Sequence, residues 1–172
     1  FFLGIGLQYV TTMLTDAIGA LRPDLITAYN AQMSSQGYDD LSLLLLVYSV
    51  ILAPVIEETV FRGLVFRYAR HAMPFWFANI LQAALFGFVH MNLVQGIYAF
   101  AMGLFLGWVC RRGHGIKYSI PVHIVFNIIG CFFSGLIQIS LTLSYPLFAG
   151  LGIMLTIFAL WLFYTDFQTA DF

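Results

Sequence analysis

Charge is scarce in this chain. Charged residues make up 9% of its 172 residues, and the net charge is −1. Soluble domains carry about 25%. A chain this short of charge, 61% hydrophobic and with a mean hydropathy of +0.91, does not stay in water as a monomer. With no basic surplus, nucleic acid is excluded as a natural partner. Cysteine is nearly absent. Cys110 and Cys131 stand in apolar runs without paired spacing, which excludes a disulfide framework and a cysteine metal site. Strands of alternating polar and apolar residues are missing, which argues against a β-barrel. Repeats and low-complexity tracts are missing too. The first residues lack a basic n-region, so no cleavable signal peptide is expected. The chain opens at Phe1 and not at Met, which reads as a trimmed or partial N-terminus.

What is present is apolar sequence in long runs. Six segments stand out, at about residues 1–20, 41–66, 74–90, 93–110, 118–136 and 146–164. Each is near the ~20 residues that cross a hydrocarbon core. The expected fold is all-α: a single integral membrane domain over 1–172, multi-pass, with a polar cavity inside the bundle. Its expected place is the plasma membrane. The polar stretch at 22–40 is either an interfacial helix or a loop. Arg67 and Arg70 follow the second segment, and Arg111, Arg112 and Lys117 follow the fourth. Two crossings separate these turns, so both lie on one side, which the positive-inside rule makes the cytoplasm. The tail TDFQTADF then falls on that side as well. Gly103 and Gly107 form a GxxxG pair that permits close helix contact. Packing within the chain is the preferred reading over a dimer face.

Against this background a few polar residues are out of place. Glu57, Glu58 and Arg62 lie within APVIEETVFRGLVF. A charge at the centre of a membrane helix costs about 2.5–3.5 kcal/mol on the insertion scale, so all three unpaired would cost on the order of 8–10 kcal/mol. They must be paired, near an interface, or on a wet cavity. Glu58 and Arg62 are four apart with the acid first, the favourable order for an ion pair. Glu57 points about 100° away from Glu58 and is expected to face the cavity. His90 stands four residues after Phe86, so ring and imidazole share a face. His123 and Asn127 are four apart on another segment and need hydrogen-bond partners, which simple interhelical contact could also supply. His71 and His114 lie in the basic turns and are read as solvated.

Together these residues form an inventory for hydrolysis. A carboxylate takes a proton from water. An imidazole orients that water, and a second imidazole and an amide donate to an oxyanion. Ser119 and Ser134 flank the last motif without an elbow context, so an acyl-enzyme route is disfavoured.

EETVFR, FGFVH and HIVFN are Glu-Glu-x-x-x-Arg, Phe-x-x-x-His and His-x-x-x-Asn, in that order on successive apolar segments. The chain resembles the CAAX protease and bacteriocin-processing (CPBP, or ABI) family, which includes the Ras-converting CAAX endopeptidase. The resemblance has its core at about 41–136. It implies a glutamate-type intramembrane endopeptidase acting on a prenylated or otherwise lipid-anchored tail, or a small hydrophobic peptide, in the bilayer. Carried over position by position, Glu57 is the general base, helped by His90. His123 and Asn127 form the oxyanion hole. Glu58, Arg62 and Phe86 support them. No cofactor is implied, since Asn is an unusual zinc ligand and no HExxH is present. Zinc on Glu57, His90 and His123 is the alternative. The rival functions are a non-catalytic bacteriocin-immunity protein of the same fold and a small transporter or proton relay.

The active site is expected to be reached from the cytoplasmic side. One tension accompanies that reading. Glu57 falls near the cytoplasmic end of its segment, while His90 lies about 24 Å along a helix from Pro74, toward the far side. Either the helices tilt, or RYARHAMPFW projects well beyond the membrane.

Overall fold

The computed structural model describes residues 1–166, all helices and turns. Most of the tail TDFQTADF lies outside them. The helices are α1 (Phe2–Leu21), α2 (Pro23–Ser35), α3 (Leu43–Ala72), α4 (Phe75–Phe88), α5 (Leu93–Arg112), α6 (Ile116–Leu143) and α7 (Tyr145–Asp166). Four of them, α3, α5, α6 and α7, are long and apolar enough to cross a membrane. The chain is thus a multi-pass all-α membrane bundle. The other two expected segments differ from that pattern. With 14 residues, α4 is short, and α1 is long enough but carries Gln8, Thr11, Thr12, Thr15 and Asp16 along one face.

The bundle turns its apolar side chains outward as well as inward, because lipid replaces water around it. Leu43, Leu44, Trp76, Phe88 and Leu136 are all more than half exposed. Inside, Leu3, Leu7, Phe61, Phe86, Met102, Leu106 and Phe126 make one core. Close helix approaches rest on glycine. A Cβ on Gly103 would stand 3.0 Å from both Ala83 Cα and Ala83 Cβ, and one on Gly107 would run into Asn79 and Gln82. The GxxxG pair therefore seats α4 on α5 within the chain.

The polar stretch 22–40 forms the helix α2 and a turn. Pro23 at its first position and Asp24 in its first turn suit a helix start. Arg22 donates two hydrogen bonds to Asp24, at 2.9 and 2.6 Å, and these hold the Asp24 carboxyl below its usual range. The helix α2 packs over the α4–α5 turn, where Asn92 Nδ2 donates to Gln32 Oε1 at 2.9 Å.

Two segment boundaries differ from the sequence expectation. The third helix continues through RYARHA to Ala72, so Glu57 lies near its midpoint. At 1.5 Å per residue it is about 45 Å long, more than the ~30 Å hydrocarbon core, and its arginine-bearing end projects beyond it. The sixth begins at Ile116 and ends at Leu143.

Candidate active site

The site is assembled around α3. Pro54 lies inside this helix and has no N–H to donate. The stretch before it, Tyr48–Leu52, is wound as a π-helix, with the Ala53 N–H reaching back five residues to the Tyr48 carbonyl. The next partner pair in that ladder would be Pro54 with Ser49, and Pro54 cannot make it. The freed Ser49 carbonyl accepts instead from Asn127 Nδ2 of α6, at 2.7 Å. The proline thus exposes a carbonyl that holds Asn127 against α3. The other amide hydrogen of Asn127 is left for another acceptor.

Glu57 and Glu58 lie on the short α-helical stretch Ala53–Glu58, between that π-turn and a second one at Thr59–Phe66. Their fates differ as the helix geometry predicts. Glu58 is fully buried and accepts at Oε1 from Arg62 Nη1, 2.8 Å away, itself fully buried. The side chain of Glu57 is 28% exposed and lines a cavity. Arg62 also donates to the Gly103 carbonyl at 3.3 Å, and its guanidinium carbon stands 4.5 Å over the Phe86 ring.

Glu58 has a second task that spacing along one helix does not disclose. Its Oε1 lies 2.9 Å from His123 Nδ1 of α6. A carboxylate accepts, so Nδ1 carries the proton, and Nε2 is directed to Glu57 Oε2 at 3.5 Å. His90 sits in the turn after α4, and its Nδ1 is 2.7 Å from the Phe86 carbonyl. A carbonyl also accepts, so the neutral ring of His90 presents Nε2 as a lone pair. Phe86, fully buried, is the common wall. Its ring makes edge contacts with His90 at 5.0 Å, His123 at 5.8 Å and Phe61 at 5.2 Å.

Glu57, His90, His123 and Asn127 all line one cavity of about 670 Å³. Within it Glu57 Oε2 approaches His123 Nε2 at 3.5 Å. Among the described residues none joins Glu57 to His90. The depth tension is resolved in two ways. Glu57 is at mid-helix, and α4 is only about 21 Å long by its rise. The α4–α5 turn is therefore set partway down the bundle, with α2 above it, and His90 remains at the level of the site.

From Glu57, His123 and Met102 the cavity runs past Ser49 and Asn127 toward Asp16, Met33, Leu41 and Gln138. That is the end of the bundle opposite Arg67, Arg70, Arg111 and Arg112, which line a separate cavity. Cytoplasmic access and a cytoplasmic placement of the arginine turns therefore do not hold together. The short α4 sets His90 within the bundle, with this cavity extending above it.

Sequence reasoning passed over several residues here. The polar face of α1 forms one cavity wall, and its spacing at 8, 11, 12, 15 and 16 was a legible helical stripe. Asn79 and Gln82 are fully buried. Gln82 Nε2 donates to the Gly103 carbonyl and to Asn79 Oδ1, each at 2.8 Å, and Asn79 Nδ2 to the Leu104 carbonyl at 3.0 Å. Two amides three apart in an apolar segment were the signal. His71 and His114 are exposed but border the arginine cavity. Among the described residues no group of three or more His, Cys, Asp or Glu side chains is arranged to hold a metal ion.

A buried Glu–Arg pair, two histidines with fixed ring orientation, a carboxylate and an amide on one intramembrane cavity define a polytopic membrane protein with a hydrolase-like polar centre. The type II CAAX prenyl endopeptidase Rce1-like family matches residues 39–129, and the chain belongs to that family. It is also 30% identical over 84 residues to the Bacillus subtilis (strain 168) protein named "Putative membrane peptidase YdiL". That similarity covers 49% of this chain and 34% of that protein, so the chain matches about a third of its relative's length. No solved structure matches the chain.

Proposed function

We propose that the chain is an intramembrane endopeptidase that hydrolyses a peptide bond with water activated by Glu57. The observation that carries this is the convergence of Glu57, His90, His123 and Asn127 on one cavity. Water set between Glu57 and His90 Nε2 gives its proton to the Glu57 carboxylate as its oxygen attacks the carbonyl carbon. The developing oxyanion accepts from the free amide hydrogen of Asn127 and from His123 Nε2. Nδ1 of His123 already donates to Glu58, so donation through Nε2 uses the imidazolium. The Glu57 proton then passes to the departing amine, leaving a carboxylate and an amine terminus.

The substrate class is a lipid-anchored or small hydrophobic peptide, since the site lies at mid-bundle and the outer surface is apolar. It enters from the end that carries α2. With the arginine turns in the cytoplasm, as their charge directs, that mouth faces the other compartment. The reaction needs no metal.

The test is release of product from a panel of prenylated and hydrophobic peptides by the purified protein and by Glu57→Gln, with and without a chelator. Loss in the variant with indifference to the chelator is expected. Equal cleavage by both proteins refutes the role of Glu57, and chelator inhibition reversed by zinc refutes the metal-free route.

A further inference from the structure

Five of the chain's seven Lys and Arg residues border one cavity of about 1060 Å³, away from the candidate active site. Arg67 and Arg70 come from the end of α3, Arg111 and Arg112 from the end of α5, and Arg62 closes the inner wall. Among the described residues no carboxylate lines it. Glu58 balances Arg62, but among the described residues no salt bridge reaches Arg67, Arg70, Arg111 or Arg112. Two buried guanidinium nitrogens on this lining, Nε of Arg62 and Nε of Arg70, have no hydrogen-bond partner among the described residues. Gly115 and Ile116 border it too, so the start of the 28-residue α6, which has no side-chain cap, adds the positive end of its dipole.

Four cations held side by side repel one another, and two buried donors without acceptors are costly. Both features are relieved by an anion with several acceptor oxygens. The rim identifies its source. Trp76, 65% exposed, and Trp108 border the cavity, and Arg112 stacks on Trp108 and Tyr164 at 5.9 and 4.5 Å. Indole and phenol rings at helix ends mark the level of lipid headgroups, and basic pockets between membrane helices suit anionic headgroups.

We propose that this arginine cavity is a phosphate site occupied by the headgroup of an anionic phospholipid. Phosphate oxygens take forked hydrogen bonds from Arg67 and Arg111, the glycerol lies against Trp76, and the acyl chains run down the outer face of α4. The Arg62–Glu58–His123 chain joins this site to the candidate active site.

The test uses the full chain in detergent micelles. Phosphatidylglycerol and phosphatidylcholine of the same acyl chains are added, and retained lipid is read by native mass spectrometry. The variants are Arg67→Gln/Arg111→Gln, Arg67→Lys/Arg111→Lys and, at the opposite end, Arg22→Gln. The wild type is expected to retain one phosphatidylglycerol in preference to phosphatidylcholine. Loss of two arginines lowers that retention by about 30-fold, lysine restores part of it, and Arg22→Gln leaves it unchanged. Equal retention of the two lipids by the wild type overturns the proposal whatever the variants do. So does unchanged retention in the Gln double variant. Displacement of the lipid by millimolar inorganic phosphate overturns the lipid as occupant and assigns the site to a soluble anion.

Discussion

Glu58→Gln is the sharpest perturbation of the centre, because one oxygen of Glu58 serves two partners. Oε1 accepts from Arg62 Nη1 at 2.8 Å and from His123 Nδ1 at 2.9 Å. Removing the charge leaves Arg62 buried at 1% exposure with no carboxylate in contact. Breaking a buried pair from one side costs about 3–5 kcal/mol. For a chain of this size that lowers the melting temperature by about 6–20 °C, at about 2–4 °C per kcal/mol. The His123 ring loses its charged acceptor at the same time, and with it the hold that aims Nε2 at the oxyanion. Loss of one such donor lowers kcat by about 10²–10³-fold. The two effects separate in Glu58→Gln/Arg62→Met. Removing both charges avoids an unpaired guanidinium, so much of the lost stability returns, while activity stays low because His123 is still unheld. The assays are thermal unfolding in micelles and peptide release on the same preparations. Recovery of activity in the double variant would refute a role for Glu58 in holding His123. An unchanged melting temperature in Glu58→Gln would refute the ion-pair energetics.

Three further outcomes follow from the same geometry. Asn127→Ala leaves the Ser49 carbonyl without its acceptance from Nδ2, for about 1–3 kcal/mol of stability, and lowers kcat by about 10²–10³-fold; denaturation and single-turnover cleavage measure the two parts. Gly107→Val drives a side chain into Asn79 and Gln82 and destabilises the α4–α5 contact by about 1–3 kcal/mol or more, read as a lower melting temperature without a new oligomer. In a background with both native cysteines replaced, Asp39→Cys and Lys117→Cys, both exposed positions, label from opposite sides of the membrane with an impermeant thiol reagent, Lys117→Cys from the cytoplasm; labelling of both from one side would contradict the bundle.

What was legible in the sequence is what one helix decides by itself. The Glu58–Arg62 pair follows from a spacing of four, and the divergence of Glu57 follows from a spacing of one. The shared face of Phe86 and His90 has the same origin, although His90 sits just past the helix end and is held there by the Phe86 carbonyl. What was not legible depends on which helices are neighbours or on where helices stop. The bond of His123 to Glu58 spans 65 residues, and that of Asn127 to Ser49 spans 78. No periodicity contains either. The Ser49 contact also needs the carbonyl that Pro54 leaves open, a consequence of the π-turn and not of residue type. The helix ends are not legible in the sequence because the length of an apolar run does not set the length of a helix. RYARHA is too polar to extend an apolar run, yet it extends α3 because arginine and alanine are good helix formers and its charges lie beyond the hydrocarbon. That extension moves Glu57 from the end of a segment to the middle of a helix. It also removes the basis for placing the site near the arginine end. The same charges that orient the bundle therefore lie on the opposite side of the candidate catalytic carboxylate from the cavity by which a substrate would reach it.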